Sequence, residues 1–332
     1  MGILSWLLGK KGNASSLTML EDQKRVEQAV KQSKTDFIDI PSRHFFGQSI
    51  KSPNGQFTLA WRDANDSGTR GGSRSEGKGK YLLLRGKDVI AQGAVGRPND
   101  GKVADNGNFI LNDWCLGGGL QGVFLAFDRS GKALFKRRFE ANLFNNGLSA
   151  DGSVAACQTA NSYEGDDGSK LTIFNLQTGV EVASWIPVSG WADFYVFPAQ
   201  GVIQLGYARF GVFSYRWDGE FLEMEKWQEA RLTKGDYATV MMAVEFALKN
   251  GSNKVDPELS RRLYGSLDRI SGQIPSADIK RKALLRKLQG QCAELKGDLP
   301  AALAAYDAAL DIDQKVGIKR RAEQIRKQLK AE

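Results

Sequence analysis

A strand–turn–strand pattern recurs four times in the first two-thirds of this 332-residue chain. The copies run from Tyr81 to Ala91, Val123 to Phe135, Leu171 to Ala183 and Gly211 to Leu222. Each is an apolar or alternating run, a tight polar turn with glycine, and a second short run. The turn glycines Gly86, Gly131, Gly179 and Gly219 are 45, 48 and 40 residues apart. A repeat of that length made only of strands points to small sheets arranged in series rather than to one enzyme-like core. Such platforms mostly bind other molecules.

A second signature precedes each hairpin: a glycine turn that opens an apolar strand. It reads Ser52-Pro-Asn-Gly55, Asp105-Asn-Gly107, Ser149-Ala-Asp-Gly152 and, in weaker form, Phe197-Pro-Ala-Gln-Gly201. Asn-Gly and Asp-Gly supply the positive φ angles that tight turns need. Each unit therefore reads strand, glycine turn, strand, loop and hairpin, a four-stranded antiparallel blade. In turns and spacing the region resembles β-propeller repeats of the WD40-like kind, in which a Ser-Pro-Asp-Gly turn opens a strand. The resemblance implies a mainly β domain over residues 37–227, propeller-like with four or five blades. Phe37 to Ile50 would add strands to a fifth blade, and a ring left open or completed by a partner stays open as an alternative.

After Trp227 the apolar period changes from 2 to 3.6, and residues 236–248, 257–270, 277–296, 300–314 and 318–329 read as helices. Gly290, Ala293, Gly297, Asp298, Ala302, Tyr306, Ala309 and Leu310 have a spacing similar to that of a tetratricopeptide repeat. Small Gly290 and Ala302 let two helices approach, and Tyr306 fills the gap beside them. The resemblance implies a TPR-like α-helical domain over residues 228–332 that binds peptides or proteins on one face.

This helical part is also basic. From Arg231 to Glu332, Lys and Arg outnumber Asp and Glu by 20 to 13, which is most of the chain's formal net charge of +8. The excess suits an acidic partner surface, nucleic acid or anionic lipid, or simply a solvated helix face. Residues 1–36 read as an apolar peptide and a connector helix with a capping box at Thr18 and Glu21. Ile3, Leu4, Trp6, Leu7 and Leu8, followed by Lys10 and Lys11, would dock on a partner groove or dip into an anionic membrane interface. No run approaches 18 apolar residues, so no transmembrane helix is expected. The three cysteines, Cys115, Cys157 and Cys292, are odd in number and far apart, which suits a reducing compartment. The expected location is cytoplasmic, with peripheral contact at the inner face of a membrane open.

Catalytic sets are scarce. His44 is the only histidine, and its neighbours Arg43, Phe45 and Phe46 mark it as a strand residue. Gly72 to Lys78 follows most of the P-loop pattern, but Gly79 stands where Ser or Thr would bind magnesium, and a strand follows instead of a helix. Glu164, Asp166 and Asp167 lack the alternation of a calcium loop. No catalytic, cofactor or metal residue is expected. Partner contacts are expected instead at Trp6, at Arg70, Arg74 and Lys78 in the loop after Asp63, at Lys282, Arg286, Lys319 and Arg320 on the helices, and at Tyr306. The crowded aromatics Trp185, Trp191, Phe194, Tyr195, Tyr207, Phe210, Tyr215 and Trp217 read mostly as blade core, with one or two exposed as interface anchors. The leading expectation is a non-enzymatic scaffold or adaptor in an intracellular complex. Two alternatives remain: a nucleic-acid-binding accessory protein using the basic helices, and a hydrolase with its site in the propeller channel.

Overall fold

The computed structural model describes residues 34–65, 67–68, 70–162, 165–250 and 256–331. They divide into two compact units, 34–223 and 224–331. The expected N-terminal docking peptide with Trp6, the connector helix and Glu164 lie outside the described residues.

The first unit holds 16 strands among its described residues, in four antiparallel sheets that follow the chain in order. Sheet 1 contains β1 (Asp36–Ile40), β2 (Phe45–Lys51), β3 (Phe57–Arg62), β4 (Gly79–Arg85) and β5 (Asp88–Val95). Sheet 2 contains β6 (Pro98–Val103), β7 (Phe109–Asp113), β8 (Gly122–Phe127) and β9 (Ala133–Phe139). Sheet 3 contains β10 (Leu143–Leu148), β11 (Val154–Thr159), β12 (Leu171–Asn175) and β13 (Val180–Trp185), and sheet 4 contains β14 (Phe194–Ala199), β15 (Val202–Tyr207) and β16 (Gly211–Arg216).

Two differences from the four-stranded repeat stand out. The residues expected to begin a fifth blade join sheet 1, where β1 pairs with β2 from Asp36↔Ser49 to Ile40↔Phe45. Sheet 4 lacks a full outer strand. After the turn at Gly219 only Phe221 bridges back to Tyr215, their rings stacked at 4.3 Å, before the chain enters a helix at Met224.

Sheet 2 explains why the sheets stack. Its central strands β7 and β8 are buried at every residue, so each lends alternate side chains to two neighbours. Phe109, Leu111, Val123, Leu125 and Phe127 join Leu59, Trp61, Tyr81 and Leu83 of sheet 1. The Phe109 ring lies 4.9 Å from Phe127 and 5.4 Å from Tyr81. On the other face, Ile110, Phe124 and Ala126 meet Leu143, Ala155, Cys157 and Phe174 of sheet 3, with Phe124 stacked on Phe174 at 4.7 Å.

The glycine turns align with this stacking. Gly55, Gly107 and Gly152 take φ of 73°, 87° and 72°, a region that a side chain would strain. The Asn54 N–H donates to the Asp105 carboxylate at 2.8 Å, and the Asn106 amide donates to the Asp151 carbonyl at 2.7 Å. These bonds tie sheet 1 to sheet 2 and sheet 2 to sheet 3.

The second unit contains six helices among its described residues: α1 (Met224–Lys234), α2 (Tyr237–Asn250), α3 (Pro257–Ser271), α4 (Ile279–Lys296), α5 (Leu299–Ile312) and α6 (Lys319–Ala331). The first begins three residues before the change of period at Trp227. Asp256, Asp278 and Asp298 cap α3, α4 and α5 by accepting from Leu259, Arg281 and Ala301. One core joins α1 to α4 through Leu232, Val244, Leu263 and Leu288, and a second joins α4 to α6 through Ala302, Tyr306 and Ile325. Gly290 is required where α4 meets α5, because a Cβ there would sit 2.4 Å from the Tyr306 ring.

Burial sets the energetic scale. Phe109→Ala should cost about 3–5 kcal/mol in urea unfolding of the β unit. Phe37→Ala, at a residue 68% exposed, should stay within about 0.5 kcal/mol. Equal effects would contradict the two-faced packing of sheet 2.

Candidate interaction surfaces

Two surfaces of the β unit combine exposure or a cavity with side chains held in place. The first is aromatic. Trp114 follows β7, Phe144 lies in β10, and Trp191 precedes β14; all three are exposed. The Trp114 indole N–H donates to the Leu143 carbonyl at 2.9 Å, and the Trp191 indole N–H donates to the Thr159 carbonyl at 3.0 Å. Leu143 and Thr159 face each other across β10 and β11. The two indoles are therefore tied to one strand pair, beside Phe144, whose ring lies 5.8 Å from that of Trp191.

Local structure fixes each indole. Behind Trp114, the Asp113 carboxylate accepts N–H groups from Gly96, Arg97 and Cys115 at 2.9, 2.6 and 2.8 Å. Arg97 lies over the Trp114 ring at 5.7 Å. Before Trp191, the Ser189 N–H donates to the Tyr215 hydroxyl at 3.0 Å, the Tyr207 hydroxyl donates to Ser189 Oγ, and Gln158 donates to the Gly190 carbonyl. This anchored loop presents Ile186 and Val188, which are 62% and 63% exposed.

The second surface is a cavity of about 450 Å³ lined by all four sheets. Its walls include Ile50 and Lys51 of β2, Asp100 and Lys102 of β6, Asn145 to Leu148 of β10, and Phe194 to Phe197 of β14. Lys102 pairs with Asp100 at 2.8 Å. The Tyr195 hydroxyl lies within hydrogen-bond reach of both Asn145 Oδ1 and Gln158 Oε1, and Gly147 leaves room for the Tyr195 ring, which a Cβ would meet at 2.7 Å.

The residues expected to contact partners fall in different places. Arg70 and Lys78 are exposed on the loop after Asp63. Arg74 in the same loop is buried: it pairs with the Asp63 carboxylate at 2.7 Å and donates to the carbonyls of Gly77, Gly72 and Gly96. Its guanidinium holds the loop down, in the stretch that mimics a P-loop. Lys282 donates to the Ser276 carbonyl and Arg286 to Gln289, both on or beside α4. Lys319 and Arg320 are exposed at the start of α6. Tyr306 is fully buried and donates to Glu294, which also pairs with Arg321. His44 is exposed, ends a short 3₁₀ turn at φ 48°, and its carbonyl accepts from Arg62. Asp167 accepts from Arg137 and the Glu140 N–H. Among the described residues no cluster of His, Cys, Asp and Glu could hold a metal ion, and no helix is long and apolar enough to cross a membrane.

Of the aromatic surface, Trp191 stood in the expected aromatic set. Trp114, Phe144 and the loop aliphatics were missed, because an isolated exposed side chain leaves no periodic signal in sequence.

No family model and no curated protein matches the chain. Among solved structures, the crystal structure of BamB from Moraxella catarrhalis is similar over 57% of this chain and 46% of its own, at 12% identity and a TM-score of 0.30. The chain spans less than half of that neighbour's length.

Buried thiols and phenols give the fold a pH signature. Burial pushes the Cys157 thiol and the Tyr195 and Tyr207 hydroxyls up, and the Cys292 thiol up to about 12. These groups keep their protons when folded, so their stabilisation is complete below the ordinary thiol value of 9.0 and falls as pH rises. Melting temperature should hold from neutrality to about pH 9 and then decline, as thiols and next phenols ionise more readily in the unfolded chain. A flat profile to about pH 10.5 would contradict the burial of these groups.

Proposed function

We propose that this chain is a non-catalytic protein-interaction platform, with a propeller-like series of four sheets followed by TPR-like helices. The aromatic surface carries this reading. Trp114, Phe144 and Trp191 present their rings around one strand pair, Ile186 and Val188 are exposed on the loop that leads into Trp191, and both indole N–H groups are already occupied by backbone carbonyls. The rings therefore offer apolar faces in fixed positions, which limits the entropy lost on binding. Clustered exposed apolar side chains mark interaction sites, and Trp is enriched among the residues that dominate binding energy. The packing of Tyr306 on Gly290 between α4 and α5 supports the TPR-like reading of the helices.

The reading is tested by crosslinking purification of the full-length protein from its own cells, followed by reconstitution with the recovered protein. Phe144→Ser combined with Val188→Ser removes exposed apolar groups without touching the anchoring hydrogen bonds. Affinity for the partner should fall about tenfold or more, as expected for loss of central apolar contacts, with melting unchanged. Recovery of no partner, or full affinity in the double variant, would refute the reading.

A further inference from the structure

The cavity shared by the four sheets contains polar groups that the fold itself does not use. We propose that it binds an uncharged, extended peptide segment of a partner protein; this rests on the interaction-platform reading and names what the second surface takes.

Two kinds of observation point to a peptide. The walls contributed by sheets 2, 3 and 4 are β6, β10 and β14, the first strand of each sheet, hydrogen-bonded among the described strands on one side only. Their other side carries backbone N–H and C=O groups suited to an added strand. Asn146 of β10 lies in the wall, only 3% exposed, and neither its Oδ1 nor its Nδ2 has a partner. A buried carboxamide left unpaired is costly, and one lacking both a donor and an acceptor is matched by a peptide group, which returns one of each.

Charge and shape narrow the class. Lys102 is paired with Asp100, and the remaining charged lining residues, Lys51 and Asp193, balance each other. A wall of zero formal charge favours neither a polyanion nor a cation. Phe197, with other apolar lining residues, supplies surface for side chains. The volume of about 450 Å³ lies within the usual range of ligand pockets.

The test uses the full chain and a mixed pool of N-acetylated, C-amidated tetrapeptides of Val, Thr, Asn and Phe. Retained peptides are identified by mass spectrometry and their affinities measured by calorimetry. The wild-type protein should retain members of the pool, and Asn146→Leu should weaken them at least about tenfold. That variant should melt no lower than wild type, because it replaces an unpartnered amide by an apolar group of similar shape. Val196→Trp, which fills the cavity from β14, should abolish retention. The Phe144→Ser, Val188→Ser protein should bind the same peptides undiminished, which separates this site from the aromatic surface. No retention by wild type would overturn the proposal, as would retention indifferent to both cavity variants. A melting loss of several degrees in Asn146→Leu would also overturn it, since the amide would then be satisfied within the fold. If partner affinity responds to the aromatic variant while wild type retains no peptide, the platform stands and the peptide site falls.

Discussion

The packing of sheet 2 on both of its faces is the constraint from which the β unit follows. A strand buried on one side needs apolar residues only at alternate positions. Phe109 to Leu111 and Val123 to Phe127 are apolar throughout because both sides are covered. With Phe109 and Phe127 against Tyr81 on one side and Phe124 against Phe174 on the other, sheets 1 and 3 are held by the same two strands. The inner strands then line a common cavity, and the loops between sheets are brought together at Leu143 and Thr159. Both candidate surfaces are consequences of that stacking. Neither could be built by a single sheet.

The aromatic surface also shows how structure and binding share residues. Each indole N–H is bonded to the backbone of sheet 3, while the indoles themselves come from the loop after β7 and the loop before β14. The same contacts that join neighbouring sheets leave ring faces exposed. Tyrosines brace the arrangement: buried Tyr207 and Tyr215 hold Ser189, and half-buried Tyr195 reaches Asn145 and Gln158.

Much of the β architecture was legible in sequence because its signals are local. A positive φ at Gly55, Gly107 or Gly152 needs glycine wherever the turn occurs, so the turns mark the units directly. The capping residue Asp298 and the small Gly290 likewise announced the α4–α5 junction. The joining of β1 to sheet 1 and the truncation of sheet 4 depend on which strand finds a partner across space, which periodicity does not encode. Arg74 illustrates the same limit. Its sequence neighbours are polar and glycine-rich, as in a solvated loop, and only the fold brings Asp63 and the Gly96 carbonyl around it. The aromatic surface was half visible: Trp191 belonged to a conspicuous cluster, whereas Phe144 meets it only through sheet packing.

The most direct test of the interaction surface is site-specific photocrosslinking in the protein's own cells. A photoreactive amino acid placed at Ile186, exposed on the loop that leads into Trp191, should give a discrete protein adduct. The same group at Lys87, exposed on the turn between β4 and β5, should give none. Adducts at Lys87 alone, or identical adducts at both positions, would contradict an interface built on Trp114, Phe144 and Trp191.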